Sequence, residues 1–254
     1  MSSNKRKYSS SKPGGAKKPR RSFKSQGNAV ARRSTFQRPM RIGEVKGMDT
    51  DLTIAGPVLA TTGTNGDCFV LNLVPPGVGS WNRVGRKIYC KSLRLKGCLL
   101  YQYNAATTTS NLASSYCRMV VVWDKQPSGG AIPSFDTVFG VTNQAGTEST
   151  TILSPLKYDN MDRFKVLKDC VINFDVEATP PTGGSTNIIS QRKTFDEYLK
   201  VKGECVYSGQ SATQTIADIS TGALYVYFRA PLAIASTSAV SVEAQSWARL
   251  RYTD

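Results

Sequence analysis

The stretch "GALYVYFRA", residues 222–230, is the clearest guide to the fold because its side chains alternate in character. Successive side chains of a β-strand point to opposite sides, so this stretch would have one apolar side and one side of tyrosines and arginine: Leu224, Val226 and Phe228 against Tyr225, Tyr227 and Arg229. A period of two is the pattern of a strand that buries one face. The stretch therefore predicts a strand of a sheet that covers an apolar core.

Two other stretches repeat this alternation and add positive charge to it. In "SWARLRYTD" (246–254) and "LRLKG" (93–97) the side chains divide into a basic or aromatic set and an apolar set: Trp247, Arg249, Arg251, Arg94 and Lys96 against Ala248, Leu250, Tyr252, Leu93 and Leu95. We expect one sheet surface to be apolar and the other to be basic or aromatic.

The chain from about Thr50 consists of short β-branched and aromatic runs between clusters of Gly, Pro, Asn and Ser. Eight of these runs are predicted as strands: 52–60, 68–74, 87–103, 116–123, 164–176, 194–207, 222–229 and 240–252. Helix signals are sparse. "PSFDTVFG" (133–140) predicts one short helix, and "YDNMDRF" (158–164) predicts a further turn.

These elements predict an all-β protein that folds as a single eight-stranded jelly-roll sandwich. Long connections fit a sandwich whose rims serve function or interfaces, and they lie at 104–115, 141–155, 178–193 and 208–221. A closed eight-stranded barrel is the alternative. Such barrels usually have short hairpins, whereas tight Asn-Gly turns are nearly absent here, with Asn65-Gly66 as the exception.

The positive charge of the chain is concentrated at its N-terminal end. The protein has 33 Lys and Arg against 18 Asp and Glu, a net charge of +15. Residues 1–41 hold 13 of the basic residues and no acidic one, which leaves 20 basic against 18 acidic residues in the rest. Their composition cannot bury enough apolar surface to offset the entropy of ordering. We therefore predict a disordered basic N-terminal arm at 1–43 and one folded domain at 44–254.

The arm can neutralise phosphates without sequence specificity, so we predict that it binds nucleic acid rather than serving as a solubilising extension. Its cations are Lys5, Arg6, Lys7, Lys12, Lys17, Lys18, Arg20, Arg21, Lys24, Arg32, Arg33, Arg38 and Arg41. Two dense clusters within it match the pattern that a nuclear import receptor recognises: Lys5, Arg6 and Lys7, and then Lys17, Lys18, Arg20 and Arg21.

A second group of cations lies in or near one predicted strand, in "GRKIYCKSLRLKG" (85–97). Its members are Arg86, Lys87, Lys91, Arg94 and Lys96, with Arg249 and Arg251 as possible neighbours. They form either an ordinary solvated face or an extension of the phosphate-binding surface of the arm.

The sequence argues against an enzyme. It has no histidine, so Ser-His-Asp and Cys-His catalysis are excluded, and its six cysteines are scattered singly without zinc-ligand spacing. Asp124, Asp159 and Asp162 could form a paired-acid or hard-cation site, although salt bridges or turn capping are favoured. We expect no cofactor, no metal and no membrane partner, because no phosphate-binding loop or long apolar run is present.

Three blocks in order resemble the coat proteins of small circular single-stranded DNA viruses, geminiviruses and circovirus-like relatives among them. The blocks are "RVGRKIYCKSLRLKG" (83–97), "RMVVVWDKQPSGGAIPSFDTVF" (118–139) and "MDRFKVLKD" (161–169). The resemblance implies that residues 44–254 form a jelly-roll capsid domain that self-assembles into a small icosahedral T=1 shell. It also implies that the arm packages a single-stranded DNA genome and carries nuclear targeting.

For the site, the resemblance implies that the strand after "VGRK" faces the nucleic acid through Arg86, Lys87, Lys91, Arg94 and Lys96. The protein would then be found in the virion and in the host nucleus. A non-assembling nucleic-acid-binding β-barrel or sandwich protein with a basic tail is the alternative. The two differ in whether uniform particles form.

Overall fold

A computed structural model describes residues 44–54, 68–104, 116–127, 130–174, 188–209, 211–230 and 240–254. The described strands are β1 Lys46–Asp51, β2 Cys68–Val70, β3 Lys87–Asn104, β4 Tyr116–Asp124, β5 Val141–Thr142, β6 Glu148–Ser149, β7 Phe164–Asn173, β8 Ile188–Tyr207, β9 Ile219–Thr221, β10 Ala223–Arg229 and β11 Val240–Thr253. The helix α1 spans Phe135–Val138, and short 3-10 turns occur at Tyr158–Asn160 and Ile216–Asp218. The predicted disordered arm at 1–43 lies outside the described residues.

The strands form two antiparallel sheets with interleaved connections. One sheet has the order β1-β11-β3-β8-β9 and the other the order β2-β10-β4-β7, with β5 and β6 as a separate hairpin. The eight principal strands, in chain order, are β1, β2, β3, β4, β7, β8, β10 and β11. Counted in this order, the first pairs with the eighth, the second with the seventh, the third with the sixth and the fourth with the fifth. This nested pairing is the jelly-roll order. The all-β sandwich predicted from the sequence is therefore confirmed, and the closed barrel is not.

The core lies between the two sheets. The alternation predicted for the five-stranded sheet is confirmed, because Leu93, Leu95 and Leu250 are buried while Arg94 and Arg249 are exposed. The short helix and the turn predicted at 133–140 and 158–164 are also present, as α1 and as the 3-10 turn.

The four-stranded sheet differs from the expectation of one apolar and one basic or aromatic surface. Every residue of β10 is buried, including Tyr225, Tyr227 and Arg229. The reason is a covering layer: Phe135 of α1 and Phe139, which follows the helix, pack edge-on against Tyr227, with ring centroids 5.9 and 6.1 Å away. The connection between β4 and β7 therefore encloses the outer side of this sheet.

The first strand was predicted at the wrong place. The strand occupies Lys46–Asp51, Ile54 makes only an isolated bridge to Ala244, and residues 55–60 lie outside the described residues. "KGMDTD" has little strand propensity of its own. It becomes a strand because it pairs along its whole length with β11 at the edge of the sheet.

Three further strand boundaries differ from those predicted. β2 ends at Val70, before the predicted end at 74, because the Asn72 side chain takes over the backbone partners: its Nδ2 donates to Gly222 O (2.8 Å) and its Oδ1 accepts from Leu224 N (2.9 Å). β8 begins at Ile188, before the predicted start at 194, because it pairs with the full length of β3. The strand predicted at 164–176 ends at Asn173, and residues 175–176 lie outside the described residues.

Candidate nucleic-acid interface

The outward face of the five-stranded sheet carries most of the charged side chains of the described residues in β3, β8 and β11. Strand alternation points the apolar residues to the core and leaves these side chains on the other side. The outward residues nearest the centre are Arg94 and Lys96 of β3, Asp196, Tyr198, Lys200 and Lys202 of β8, and Trp247, Arg249 and Arg251 of β11.

Two arginines in the middle of this face are neutralised by carboxylates. Arg94 and Arg249 lie directly opposite each other in register, an arrangement that would be repulsive if both were unpaired. Arg94 donates two hydrogen bonds to Asp196 (2.8 and 2.6 Å), and Arg249 donates two to Asp49 (2.7 and 2.7 Å). These bonds lower the pKa of Asp196 and of Asp49 below the ordinary carboxyl value.

A groove of about 400 Å³ at one end of the face has a different charge balance. We call it the basic groove; it is lined by Val45, Tyr89, Lys91, Ser92, Tyr198, Lys200, Lys202 and Arg251. No acidic residue lines it, and none of its four cations has an ion pair within the described part of the chain. Its charge is therefore available to an anionic partner.

An irregularity in the strand pairing lies at this groove, beside Lys91. The register of β3 shifts between Cys90 and Ser92 against both neighbouring strands, so Lys91 has no direct partner. On the β8 side, Lys202 adopts a positive φ of 53°, which is uncommon for a residue other than glycine. Bulges bend a strand and redirect its side chains, and here two successive residues, Lys91 and Ser92, both line the groove.

Two slightly smaller grooves continue from the basic groove across the sheet. The first, of about 380 Å³, shares Ser92, Tyr198 and Arg251 with it and adds the paired arginines. The next, of about 340 Å³, shares Asp196 with the first and ends beside Trp247. The three grooves thus form a path along which aromatic side chains recur, and the cations without ion pairs lie mainly at the end formed by the basic groove. Aromatic rings beside cations are the features with which proteins hold single-stranded nucleic acid.

The structure brings together the strand cations that the sequence singled out. Lys91, Arg94 and Lys96 lie on the outward face, and Arg249 and Arg251 are their neighbours, as expected. Lys87 forms an ion pair with Glu204 at 3.0 Å. Arg86, just before β3, is exposed, and its Nε donates to Tyr207 O at 3.1 Å. All thirteen arm cations and both proposed import clusters lie outside the described residues.

The sequence analysis did not identify two of the four cations of the basic groove, Lys200 and Lys202. Lys200 and Lys202 belong to "EYLKVKGE", where Tyr198 precedes them with the same period of two. That alternation was a usable signal, but only the pairing of β8 with β3 brings these lysines to Lys91. Tyr89 and Tyr198, respectively 43% and 60% exposed, are the aromatic residues of the groove.

The acidic residues considered for catalysis or metal binding have other surroundings. Asp124 is fully buried and accepts two hydrogen bonds from Arg163 (2.9 and 2.8 Å), which is the salt-bridge interpretation. Asp159 lies in the 3-10 turn, Asp162 follows the turn, and both are exposed. No group of three metal-ligating side chains occurs among the residues that the structure describes.

The six cysteines are free thiols, and four of them are buried. Burial raises the pKa of Cys205 to about 12 and raises that of Cys90, so neither is a reactive thiolate. Within the described ranges, no helix has the length and apolar character needed to cross a membrane.

Solved structures of virus particles match this chain weakly. A crystal structure of the T13 particle of infectious bursal disease virus (IBDV) aligns with 10% identity over 81% of this chain and 31% of the other, with a TM-score of 0.24. The Gx strain of the same virus gives 8% identity over 82% and 36%, with a TM-score of 0.23. This chain thus spans about a third of those chains. The fold assignment rests on the strand order and not on these alignments.

The comparison with family models is decisive. No curated protein matches the chain. The model of the geminivirus coat protein/nuclear export factor BR1 family matches residues 2–253, which is nearly the whole sequence. Its match spans all three sequence blocks and both sheets of the sandwich. The chain therefore belongs to the geminivirus coat protein/nuclear export factor BR1 family.

Proposed function

We propose that this protein is the subunit of a small icosahedral shell of T=1 geometry that packages a single-stranded DNA genome. Membership of a coat-protein family supports a structural role in the virion rather than catalysis. The genome would be held by residues 1–43 and by the outward face of the five-stranded sheet.

One observation carries the nucleic-acid part of this proposal: the basic groove has four cations without carboxylate partners among the described residues, around two exposed tyrosines. Phosphates would bind Lys91, Lys200, Lys202 and Arg251. Unpaired bases expose a flat surface that can stack on Tyr89 or Tyr198, whereas bases inside a duplex do not. The groove therefore favours single strands.

The charge of the arm supports the same function. Thirteen cations without an acid in residues 1–41 can neutralise phosphates along any sequence. The arm and the basic groove would act together, because one provides many exchangeable contacts and the other provides a shaped site. The choice of DNA rests on the family resemblance, since phosphate neutralisation does not distinguish DNA from RNA.

Import into the host nucleus is a further part of the proposal. The clusters Lys5, Arg6 and Lys7 and "KKPRR" (17–21) would bind an import receptor before packaging begins. A fluorescent protein fused to residues 1–43 should accumulate in nuclei. Alanine at the seven basic positions of both clusters should leave it in the cytoplasm; continued nuclear accumulation would contradict this role.

The decisive experiment is negative-stain microscopy of the purified full-length protein, with absorbance at 260 and 280 nm recorded on the same fraction. Uniform spheres with a nucleic-acid-like absorbance ratio are expected. Dispersed monomers at all salt and protein concentrations would contradict the shell. Empty spheres would support the shell and contradict packaging by this protein alone.

A second candidate is a nucleic-acid-binding protein that does not assemble. The family description names a nuclear export factor beside the coat protein, and this observation favours keeping the alternative. A non-assembling protein would use the same arm and the same basic groove as a capsid subunit, so DNA binding does not distinguish the two functions. Particle formation does, because the alternative predicts soluble protein–DNA complexes of irregular size.

A further inference from the structure

Two loops outside the nucleic-acid interface hold large apolar side chains in solvent. The first, residues 75–86 between β2 and β3, is called the apolar loop; Val78, Trp81 and Val84 in it are 102%, 58% and 74% exposed. The second, residues 157–163 before β7, is called the acidic turn; Tyr158 and Met161 in it are 88% and 56% exposed. Clustered exposed apolar side chains commonly mark a protein–protein contact.

The apolar loop is firmly braced. Arg83 is buried and donates to the carbonyl oxygens of Val74 (3.0 Å), Gly85 (2.7 Å) and Gly209 (2.6 Å), while its guanidinium lies 4.2 Å from the centre of the Tyr207 ring. Lys46 also donates to the carbonyl oxygen of Asn82 at 3.0 Å. A braced loop loses little conformational entropy on binding, so its exposed Trp81 suits the centre of an interface.

The acidic turn is braced in a similar way. The Asn160 side chain donates to Thr137 O at 2.6 Å, and Lys125 donates to Asp162 O at 2.7 Å. Arg163 closes the turn through its double hydrogen bond to the buried Asp124. Tyr158 and Met161 are therefore presented from a fixed backbone.

The two loops carry opposite charges. The apolar loop contains Arg83 and Arg86 and no acid; Arg83 is buried and bonded to carbonyl groups, and Arg86 is exposed. The acidic turn contains Asp159 and Asp162, and its two bases are already paired, Lys157 with Glu148 at 2.6 Å and Arg163 with Asp124 at 2.8 Å. Neither Asp159 nor Asp162 has an ion pair within the part of the chain that the structure describes. Complementary charge around apolar centres selects one surface as the partner of the other.

We propose that the apolar loop of one copy docks against the acidic turn of a second copy. Both surfaces are exposed in the single chain, so they do not cover each other within it. A contact between two different patches is heterologous and can close into a ring, which is what a shell requires. The inference rests on the proposed shell and names the surfaces that build it.

Two paired variants of the full chain test the contact. Trp81→Ala with Val84→Ser removes the apolar tip, and Tyr158→Ser with Met161→Ser removes its partner surface. Each should raise the protein concentration needed for particle formation by roughly tenfold or more, because a central interface residue commonly contributes at least that factor. Val171→Ser, on an exposed position of β7 outside both loops, is the matched control. Particles are counted by microscopy, and thermal unfolding reports folding.

Charge reversal tests the pairing itself. Asp159→Lys with Asp162→Lys should block assembly, and adding Arg86→Glu should restore part of it. If both apolar variants assemble like the wild type, the contact is wrong while the shell stands. If only the loop variant fails, the loop has another partner and the pairing is wrong. If the wild type never forms particles, the proposed shell fails and this contact fails with it.

Discussion

Two basic side chains on the same sheet face can differ in what they offer to a phosphate group. Arg94 is held by two hydrogen bonds from its guanidinium to Asp196, so a phosphate must compete with a carboxylate for it. Lys200 and Lys202, on the next strand, have no such partner among the described residues. The affinity of this sheet face for phosphate should therefore depend on which cations are ion-paired with carboxylates as much as on the number of cations.

Lys200→Ala combined with Lys202→Ala should weaken binding of single-stranded DNA. Each lost phosphate contact lowers the steepness of log K against log salt by about 0.7, so the pair should lower it by about 1.4. Fluorescence anisotropy with a labelled oligonucleotide over a series of salt concentrations measures this slope. Lys165→Ala, an exposed lysine on β7 of the other sheet, is the control and should leave the slope unchanged.

Asp196→Asn should have the opposite effect, because it releases Arg94 for a phosphate. The slope should steepen by about 0.7, the value of one added contact. Weaker binding by this variant would show that Asp196 positions Arg94 for the ligand instead of competing with the ligand.

The pH dependence of the Arg94–Asp196 pair follows from the lowered pKa of Asp196, whose ordinary value is 3.8. A carboxyl with a lower pKa in the folded state stabilises the fold above its unfolded pKa and loses that contribution as the pH falls through the folded pKa. The wild type should therefore keep the pair intact at neutral pH and release Arg94 only in acid below about 3.8. Because the pair is exposed, its contribution to stability is small.

At the scale of elements, the connection between β4 and β7 changes the environment of the four-stranded sheet. It covers β10, so that a strand with an alternating sequence is buried on both faces. Arg118 of β4 binds this connection to the sheet by donating one hydrogen bond each to Ile152 O (2.5 Å) and Ser154 O (2.8 Å). It also donates two hydrogen bonds to Asp169 of β7 (2.9 and 2.6 Å).

Arg118→Met should destabilise the protein by about 3 kcal/mol, because it leaves two carbonyl oxygens of the covering layer without a donor and removes an ion pair whose cation is buried. Urea unfolding followed by fluorescence measures the loss. Asp169→Asn is the control: it keeps an oxygen acceptor for Arg118 and the bonds to the covering layer, and it removes only a carboxylate charge that is 42% exposed, so the loss should be smaller. Equal losses in the two variants would mean that the ion pair, and not the bonds to the covering layer, stabilises the connection.

At the scale of the whole molecule, positive charge and packing are assigned to different parts of the chain. The described residues bury a continuous apolar core between the sheets, whereas residues 1–41 supply 13 of the 33 basic residues. Under the proposed function, folding would depend on residues 44–254, and neutralisation of the genome would depend mainly on the arm.

Deletion of residues 1–43 should leave the melting temperature nearly unchanged and leave particles that contain little nucleic acid. Circular dichroism measures the first outcome, and the ratio of absorbance at 260 and 280 nm measures the second. Replacing the thirteen arm cations with Gln or Ser at constant length is the matched control and should give the same empty particles. Failure of the truncated chain to fold would contradict this division between arm and domain.

The sequence by itself determined the features that depend on neighbours along the chain. The alternation in residues 222–230 and 246–254 predicted strands, and the acid-free run before Glu44 predicted a cationic segment. Both are local patterns, because strand geometry repeats every two residues and net charge needs no partner.

Only the tertiary structure decided which of these residues are available. Arg249 is neutralised by Asp49, 200 positions away, and β1 becomes a strand only against the edge of β11. Lys91 lies beside Lys200 and Lys202 because β3 pairs with β8. Tyr225 and Arg229 are buried by a distant connection. Burial and ion pairing depend on residues that meet through the fold, and no local pattern contains that information.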